Sequence, residues 1–281
     1  MSLVWINGAL ADKLDARVSP FDHGFLYGDG VWEHLRLFRG APLNADAHLA
    51  ALARAAAAVG IDIPLSRDEL RAALDATVKA NNRTEGYARV TVTRGPGTVG
   101  PDPRKIEAQV IVTAEEYQPF PQELYGHGLH AVVAPLKLDA ENPAHRWRTL
   151  NQLHVVHAKR FALQNGCLEA LFQDREGHLV GTTEGLLFAV IGGHPVVAGG
   201  QPEDATGYAV AAALGAAGAV VAEHTVSLAE LLAADEAFIA GTACGVIGIV
   251  RANGTPIGTG TEGAATRAAR AHYLRAAGGT S

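Results

Sequence analysis

Ser19-Pro-Phe-Asp-His-Gly-Phe-Leu-Tyr-Gly-Asp-Gly-Val-Trp-Glu-His-Leu-Arg36 is the stretch on which the reading of this chain turns. Asp22-His-Gly and Gly28-Asp-Gly30 are turn signals, and Val31–Phe38 reads as a strand closed by Arg39-Gly40. Upstream, Leu3–Ile6 enters a tight turn at Asn7-Gly8. Downstream, Ala47, Leu49, Leu52, Ala56 and Val59 keep a helical period over Asp46–Val59, and Gly60 stops it. Ser66 with Glu69 three residues on is a capping box that opens a second helix, to about Asn81. Tyr87–Arg94 and Ile106–Thr113 are rich in β-branched residues and read as strands. Pro119–Pro121 and Glu123–Gly126 read as a hinge. The pattern then resumes: a strand over Leu129–Leu136, a helix from about Leu150 to Gln164, a hairpin turn at Asp174–Gly177, strands, an alanine-rich helix and a final helix over Thr261–Ala276.

The chain has 281 residues and a net charge of −6, with 48% apolar and 19% charged residues. That is enough for two packed cores. The acidic balance argues against a nucleic-acid partner. Cys167 and Cys244 are too few for a disulfide framework, which makes a reducing cytoplasm the expected compartment. The start has no basic segment followed by an apolar one, and no window offers the roughly 18 uninterrupted apolar residues of a membrane span. No membrane partner is expected. Five lysines (Lys13, Lys79, Lys105, Lys137, Lys159) stand against eighteen arginines.

Four segments carry a resemblance: Ser19–Arg36; Tyr87-Ala-Arg-Val-Thr-Val-Thr-Arg-Gly95; Arg148-Thr-Leu-Asn-Gln-Leu153 with Ala158-Lys-Arg160; and Ala234-Asp-Glu-Ala-Phe-Ile-Ala-Gly-Thr-Ala243. In order and spacing the chain resembles the class IV aminotransferases, the branched-chain and D-amino-acid aminotransferases and aminodeoxychorismate lyase, which are fold-type IV pyridoxal-phosphate enzymes. The resemblance implies an α/β (α+β) fold: a small α/β domain (1–118), a linker (119–126) and a larger barrel-like domain (127–281), with the site between domains and a homodimer as the working state.

The same resemblance aligns Arg148 with the family's cofactor lysine. A guanidinium titrates above about 12 and forms no Schiff base. It also aligns Gly181 with the acid that faces the pyridine nitrogen, Ala51 with a phosphate-binding arginine, and Asp204-Ala-Thr-Gly207 with a phosphate turn; Gly241-Thr-Ala243 persists. Lys159 is expected to be solvent-exposed, and Lys137 is a candidate replacement amine. These substitutions give the expectation of an enzyme with no cofactor: a pyridoxal-phosphate-independent lyase, isomerase or cyclase acting on a small carboxylated substrate. Arg148, His34, Tyr27 and His145 are its candidate catalytic residues, and Arg36, Arg89, Trp32, Thr242 and Ala243 its candidate substrate contacts. Arginines suit carboxylates and a histidine suits proton transfer near neutrality. The alternatives are a conventional pyridoxal-phosphate aminotransferase or aminodeoxychorismate lyase, and an inactive pseudoenzyme or partner protein. His154 and His157 lack an acidic or thiol companion, so no metal is expected.

Overall fold

The structure is a computed structural model that describes residues 2–116, 120–139 and 141–276. It divides into two units, Met1–Gln118 with Trp147–Gln152, and Pro119–Arg146 with Leu153–Ser281. The division between 118 and 119, and Pro119 of the expected linker, lie outside the described residues.

In the first unit β1 (Leu3–Ile6), β2 (Ala9–Asp12), α1 (His23–Tyr27), β3 (Gly30–Phe38), β4 (Ala41–Pro42), α2 (Ala45–Ala58), α3 (Arg67–Ala80), β5 (Gly86–Thr93) and β6 (Gln109–Glu115) follow in order. The strands form one antiparallel sheet, β2-β1-β6-β5-β3-β4. Side chains alternate across a strand. Val31, Leu35 and Leu37 of β3 therefore join Ala88, Val90 and Val92 of β5 in a buried layer with Leu49 and Leu52 of α2 and Leu70 and Leu74 of α3. The opposite register leaves His34 beside Arg89 and Arg36 beside Tyr87. The Ser66–Glu69 capping box forms on α3 as its spacing predicts.

The quoted motif is built around close approaches. Asp22 caps α1, its Oδ1 accepting from Gly24 N at 2.7 Å and its Oδ2 from the Thr93 hydroxyl at 2.7 Å. Gly28 ends the helix at φ +69°, in the left-handed region that favours glycine. At Gly30 a Cβ would sit 2.6 Å from Leu150 Cδ1 and 2.7 Å from Val92 O.

Leu150 is there because Trp147–Gln152 runs as an extended segment along the start of β3. Trp32 N donates to Arg148 O, Leu150 N to Gly30 O, and the Trp32 indole to Thr149 O. The helix expected from Leu150 consequently begins at Leu153: the preceding residues give their backbone groups to the first unit's sheet.

The second unit contains α4 (Gln122–His127), β7 (Leu129–Lys137), α5 (Pro143–Arg146), α6 (Leu153–Gln164), β8 (Glu169–Gln173), β9 (Leu179–Thr182), β10 (Leu186–Ile191), β11 (His194–Ala198), α7 (Ala205–Ala216), β12 (Ala222–His224), α8 (Leu228–Ala233), β13 (Glu236–Gly241), β14 (Gly245–Ala252), β15 (Thr255–Pro256) and α9 (Ala264–Ala276). Residues 122–126 of the expected linker belong to the helix α4. The sheet order is β12-β11-β10-β13-β14-β7-β8-β9 with β15 on β14. The β14–β7, β7–β8 and β11–β12 pairs are parallel and the rest antiparallel. Apolar residues cover both faces of the central strands: Leu187, Ile239 and Ile247 belong to one core cluster and Phe188, Phe238 and Val246 to another. Among the described residues no helix is long and apolar enough to cross a membrane.

Candidate functional site

In the first unit, polar residues of β3 and β5 gather around Trp32. The Arg89 guanidinium carbon lies 4.1 Å from the Trp32 ring centroid and that of Arg148 lies 5.0 Å away. Both distances are within cation–π range. Arg89 Nε also donates to Thr91 Oγ1 at 3.2 Å. His34 meets Trp32 edge-on at 4.9 Å and stacks on Tyr87 at 5.7 Å. The counter-charge is Glu33, which faces the buried layer. Its Oε1 is 3.2 Å from Arg148 Nε and its Oε2 is 2.7 Å from His48 Nδ1, with Glu33 and His48 side chains both only 2% exposed.

Arg148 pairs with Glu33, Arg89 stands nearby against Trp32, and the electrostatics follow. Burial, reinforced by the Arg148 charge and opposed by Glu33, pulls the Arg89 pKa down to about 10. Burial also holds the His34 pKa well below its ordinary value, and the charges of Arg148, His48 and Arg89 act in the same direction. His34 is therefore a neutral imidazole at physiological pH, and its buried Nε2 has no hydrogen-bond partner among the described residues. Positive charge next to an aromatic wall is chemically suited to a small carboxylate.

The other expected residues are distributed differently. Tyr27 is 40% exposed and its hydroxyl accepts from Gly100 N at 2.7 Å. Arg36 is half-buried. The expected His145–Arg148 cluster divides between the units. His145 and Arg146 end α5 in the second, with His145 Nδ1 accepting from Asp139 N at 3.0 Å, whereas Trp147 and Arg148 belong to the first. His145 packs on His154 at 4.9 Å between ring centroids. Among the described residues no group of three or more histidines, cysteines or acids has the arrangement of a metal site. Thr242 is buried, and its hydroxyl meets that of Thr206 at 2.8 Å. Ala243 follows in the same turn.

The second unit holds a cluster that sequence reasoning misses. Lys159, expected at the surface, turns inward: its Nζ donates to Leu168 O at 2.8 Å and to Glu184 Oε1 at 2.6 Å, and lies 4.0 Å from Glu169 Oε2. The helical position of Lys159 is readable in the sequence. That it faces the start of β8 and the turn after β9 is not, and the only hint is its place next to Ala158 on the buried side of α6. Glu169 is fully buried. Its Oε1 accepts from Thr183 N at 2.7 Å and from the Thr183 hydroxyl at 2.5 Å, while Oε2 has no hydrogen-bond partner among the described residues. Burial pushes its pKa up to about 7; Glu184 adds to the rise and Lys159 opposes it. The same neighbourhood includes the threonine pair. Gly241 packs so closely on Glu184 and Gly185 that a Cβ would lie 2.1 Å from Glu184 O, and Gly241 leads directly into Thr242. Thr206 lies in the first turn of α7, which Asp204 caps by accepting from Gly207 N at 2.7 Å. Lys137, the other candidate amine, is exposed and donates to Gln173 Oε1 at 2.7 Å.

Residues 30–252 match the Amino-transferase class IV family. The chain belongs to this family. It is 35% identical over 270 residues to a putative branched-chain-amino-acid aminotransferase of Methanocaldococcus jannaschii, covering 94% of this chain and 92% of that protein. It is 31% identical over 281 residues to a D-alanine aminotransferase of Bacillus licheniformis, covering 94% and 93%. A T.th. branched-chain amino acid aminotransferase, solved with pyridoxamine 5'-phosphate, superposes with a TM-score of 0.93 at 26% identity over 98% of this chain and 94% of that one. The mixed α/β fold is that of the branched-chain aminotransferases.

These relatives overturn the expectation of a cofactor-free lyase, isomerase or cyclase. They are aminotransferases, and the solved one binds a pyridoxal-phosphate derivative. The expectation rests most heavily on the chemistry of position 148, and a guanidinium there does not remove amine chemistry from the rest of the chain. Pyridoxal phosphate requires an amine, an acid and donors for a phosphate. The second unit holds the half-buried amine of Lys159 beside the carboxyls of Glu169 and Glu184, and a hydroxyl pair in which Thr206, in the first turn of α7, meets Thr242 of the turn after β13. The unpartnered Oε2 of buried Glu169 marks a group left open for a further donor.

Proposed function

We propose that this chain is a pyridoxal-phosphate-dependent class IV aminotransferase that exchanges an amino group between a small amino acid and a keto acid. Its relatives point to branched-chain amino acids and D-alanine as the first substrates to try. The observation that carries the substrate class is the guanidinium pair on Trp32: Arg148, held by Glu33, and Arg89 beside it favour a substrate carboxylate. Arg148 is fixed by Glu33 and gives a rigid cation, while Arg89, stacked on the indole and tied to Thr91, gives a second one. His34 stays neutral and offers Nε2 to an uncharged polar group of the substrate. In the second unit, Thr206 and Thr242 supply hydroxyl donors for phosphate. Glu169, poised near neutrality, holds or releases a proton beside the Lys159 amine. The cofactor, when bound, supplies the electron sink that stabilises a carbanion at the substrate's α-carbon.

A cytoplasmic homodimer is part of this proposal. Leu153, Val156 and Leu163 of α6 are 69%, 60% and 56% exposed, beside a mostly apolar cleft of about 660 Å³ between α6 and the end of β7. Exposed apolar surface of this kind suits a protein partner. The test of function is direct: incubate the purified chain with pyridoxal phosphate, branched-chain amino acids or D-alanine, and a panel of keto acids, then separate the products. A new amino acid derived from the keto acid is expected. No transfer with any pair would reject the reading.

A further inference from the structure

We propose that the cleft between α6 and the end of β7 is a binding site for a small amphipathic carboxylate, a free acid with an apolar tail. The inference goes beyond the proposed function and does not depend on it. The cleft encloses about 660 Å³, within the range of about 300–1,000 Å³ typical of small-molecule sites. Its walls come from the second unit alone. Along α6, Leu153, His157, Arg160, Phe161 and Gln164 follow one another at helical intervals of three and four, so they share one face. Leu136, at the end of β7, belongs to the opposite wall.

The walls sort by chemistry. Leu136 and Leu153 are exposed and Phe161 is half-buried, giving an apolar strip that water covers in the empty cleft. His157, Arg160 and Gln164 are exposed and polar. His154, also on the wall, is half-buried and engaged by the rings of His145 at 4.9 Å and Phe172 at 6.0 Å. The charge then decides the ligand. Arg160 is the one permanent charge among the described wall residues, and none of them is acidic. Neither Arg160 nor His157 has an ion pair or hydrogen bond to another described residue. A guanidinium without a counter-charge accepts a carboxylate through two parallel N–H···O bonds. The Gln164 amide and the His157 ring each have an N–H to add. A tail laid on Leu136, Leu153 and Phe161 removes apolar surface from water. An ammonium head would be repelled by Arg160, and an uncharged head would leave the guanidinium without its counter-charge. The net charge of −6 on the whole chain does not decide against an anion: at physiological salt, exposed charges are screened beyond about 8 Å, and the nearest charge dominates. Val156 and Leu163, exposed and seven residues apart on α6, lie outside these walls, so a protein partner placed on them leaves the cleft to its ligand.

The test titrates the full chain by calorimetry with three compounds: octanoate; octanamide, which keeps the tail and loses the charge; and acetate, which keeps the charge and loses the tail. One octanoate per chain is expected, with octanamide and acetate each bound about tenfold more weakly or worse, the factor expected for losing a hydrogen bond to a charged group. Arg160→Glu, at an exposed position, is expected to weaken octanoate by at least the same factor with an unchanged melting temperature, and Leu153→Ser to weaken it less. Arg89→Ala, in the first unit, is expected to keep octanoate binding. If Arg160→Glu does not fold, the ratio of octanoate to octanamide affinity and the Leu153→Ser variant decide. Absence of octanoate binding would overturn the proposal. So would octanamide or acetate binding as well as octanoate, full octanoate affinity in a folded Arg160→Glu variant, or its loss in Arg89→Ala. Sedimentation velocity with and without octanoate is expected to give the same species; an oligomer that octanoate dissociates would assign the cleft to a second copy of the chain and overturn the small-molecule site.

Discussion

The two units hold contrasting charged clusters. In the first, Glu33 is shared between Arg148 and His48 and faces the apolar layer under β3. Its cation is a guanidinium, which keeps its charge at all working pH values. In the second, Glu184 and Glu169 flank Lys159, a titratable amine, and Glu169 changes protonation near neutrality. The first arrangement is suited to holding a permanent charge in place, and the second to moving a proton. The contrast teaches that the arginine at 148 and the lysine at 159 are not substitutes for one another: one is a permanent charge held by Glu33, the other an amine held between two carboxyls.

Four experiments break or sharpen that contrast. Removing Glu33 should have the largest effect. Glu33→Ala leaves Arg148 and His48 without their buried carboxylate, and breaking such a pair costs about 3–5 kcal/mol. Urea denaturation should show that loss, and an unchanged midpoint would mean that the network is not a fixed framework. Next come the guanidiniums. Arg89→Ala and Arg148→Ala should each weaken binding of a small keto acid by about 1.5–3 kcal/mol, tenfold or more in Kd, measured by calorimetry. Loss of binding in neither variant would remove the carboxylate receptor from the first unit.

The third experiment concerns Glu169. Its folded pKa is raised from 4.5 to about 7, so the protonated form is the one the fold favours. This contribution is fully present below about 4.5 and is lost as pH rises through about 7. Glu169→Gln keeps a neutral group at every pH. Its melting temperature should therefore gain on that of the parent chain between pH 4.5 and 7, the window set by that shift, and parallel curves would place the titration elsewhere. The smallest effect is local to α3 and serves as a control. Ser66→Ala removes the capping hydroxyl of α3 and should cost about 1 kcal/mol of stability without altering keto acid binding.

Much of the fold is legible in the sequence because its signals are local. The strand after Gly30, the helix stopped by Gly60 and the Ser66–Glu69 box need only neighbouring residues. The match of the Ser19–Arg36 motif to its family extends this to the whole architecture. The site is less legible because its geometry is made by long-range hydrogen bonds. Nothing in the spacing of His145 to Arg148 says that the chain passes from one unit to the other between Arg146 and Trp147; the backbone pairing of Trp32 with Arg148 decides it. The resemblance sends Lys159 to the surface of its helix, and a helical position does not reveal what a long side chain reaches. Reasoning outward from position 148 then leads to a cofactor-free enzyme, which the relatives correct.

The most direct measurement of cofactor dependence is a titration of the full chain with pyridoxal phosphate, followed by its visible absorption before and after addition of D-alanine or a branched-chain amino acid. Saturation at one cofactor per chain is expected, with a band that the amino acid shifts and a matching keto acid restores. A titration without saturation, or a band that no amino acid alters, would contradict an aminotransferase.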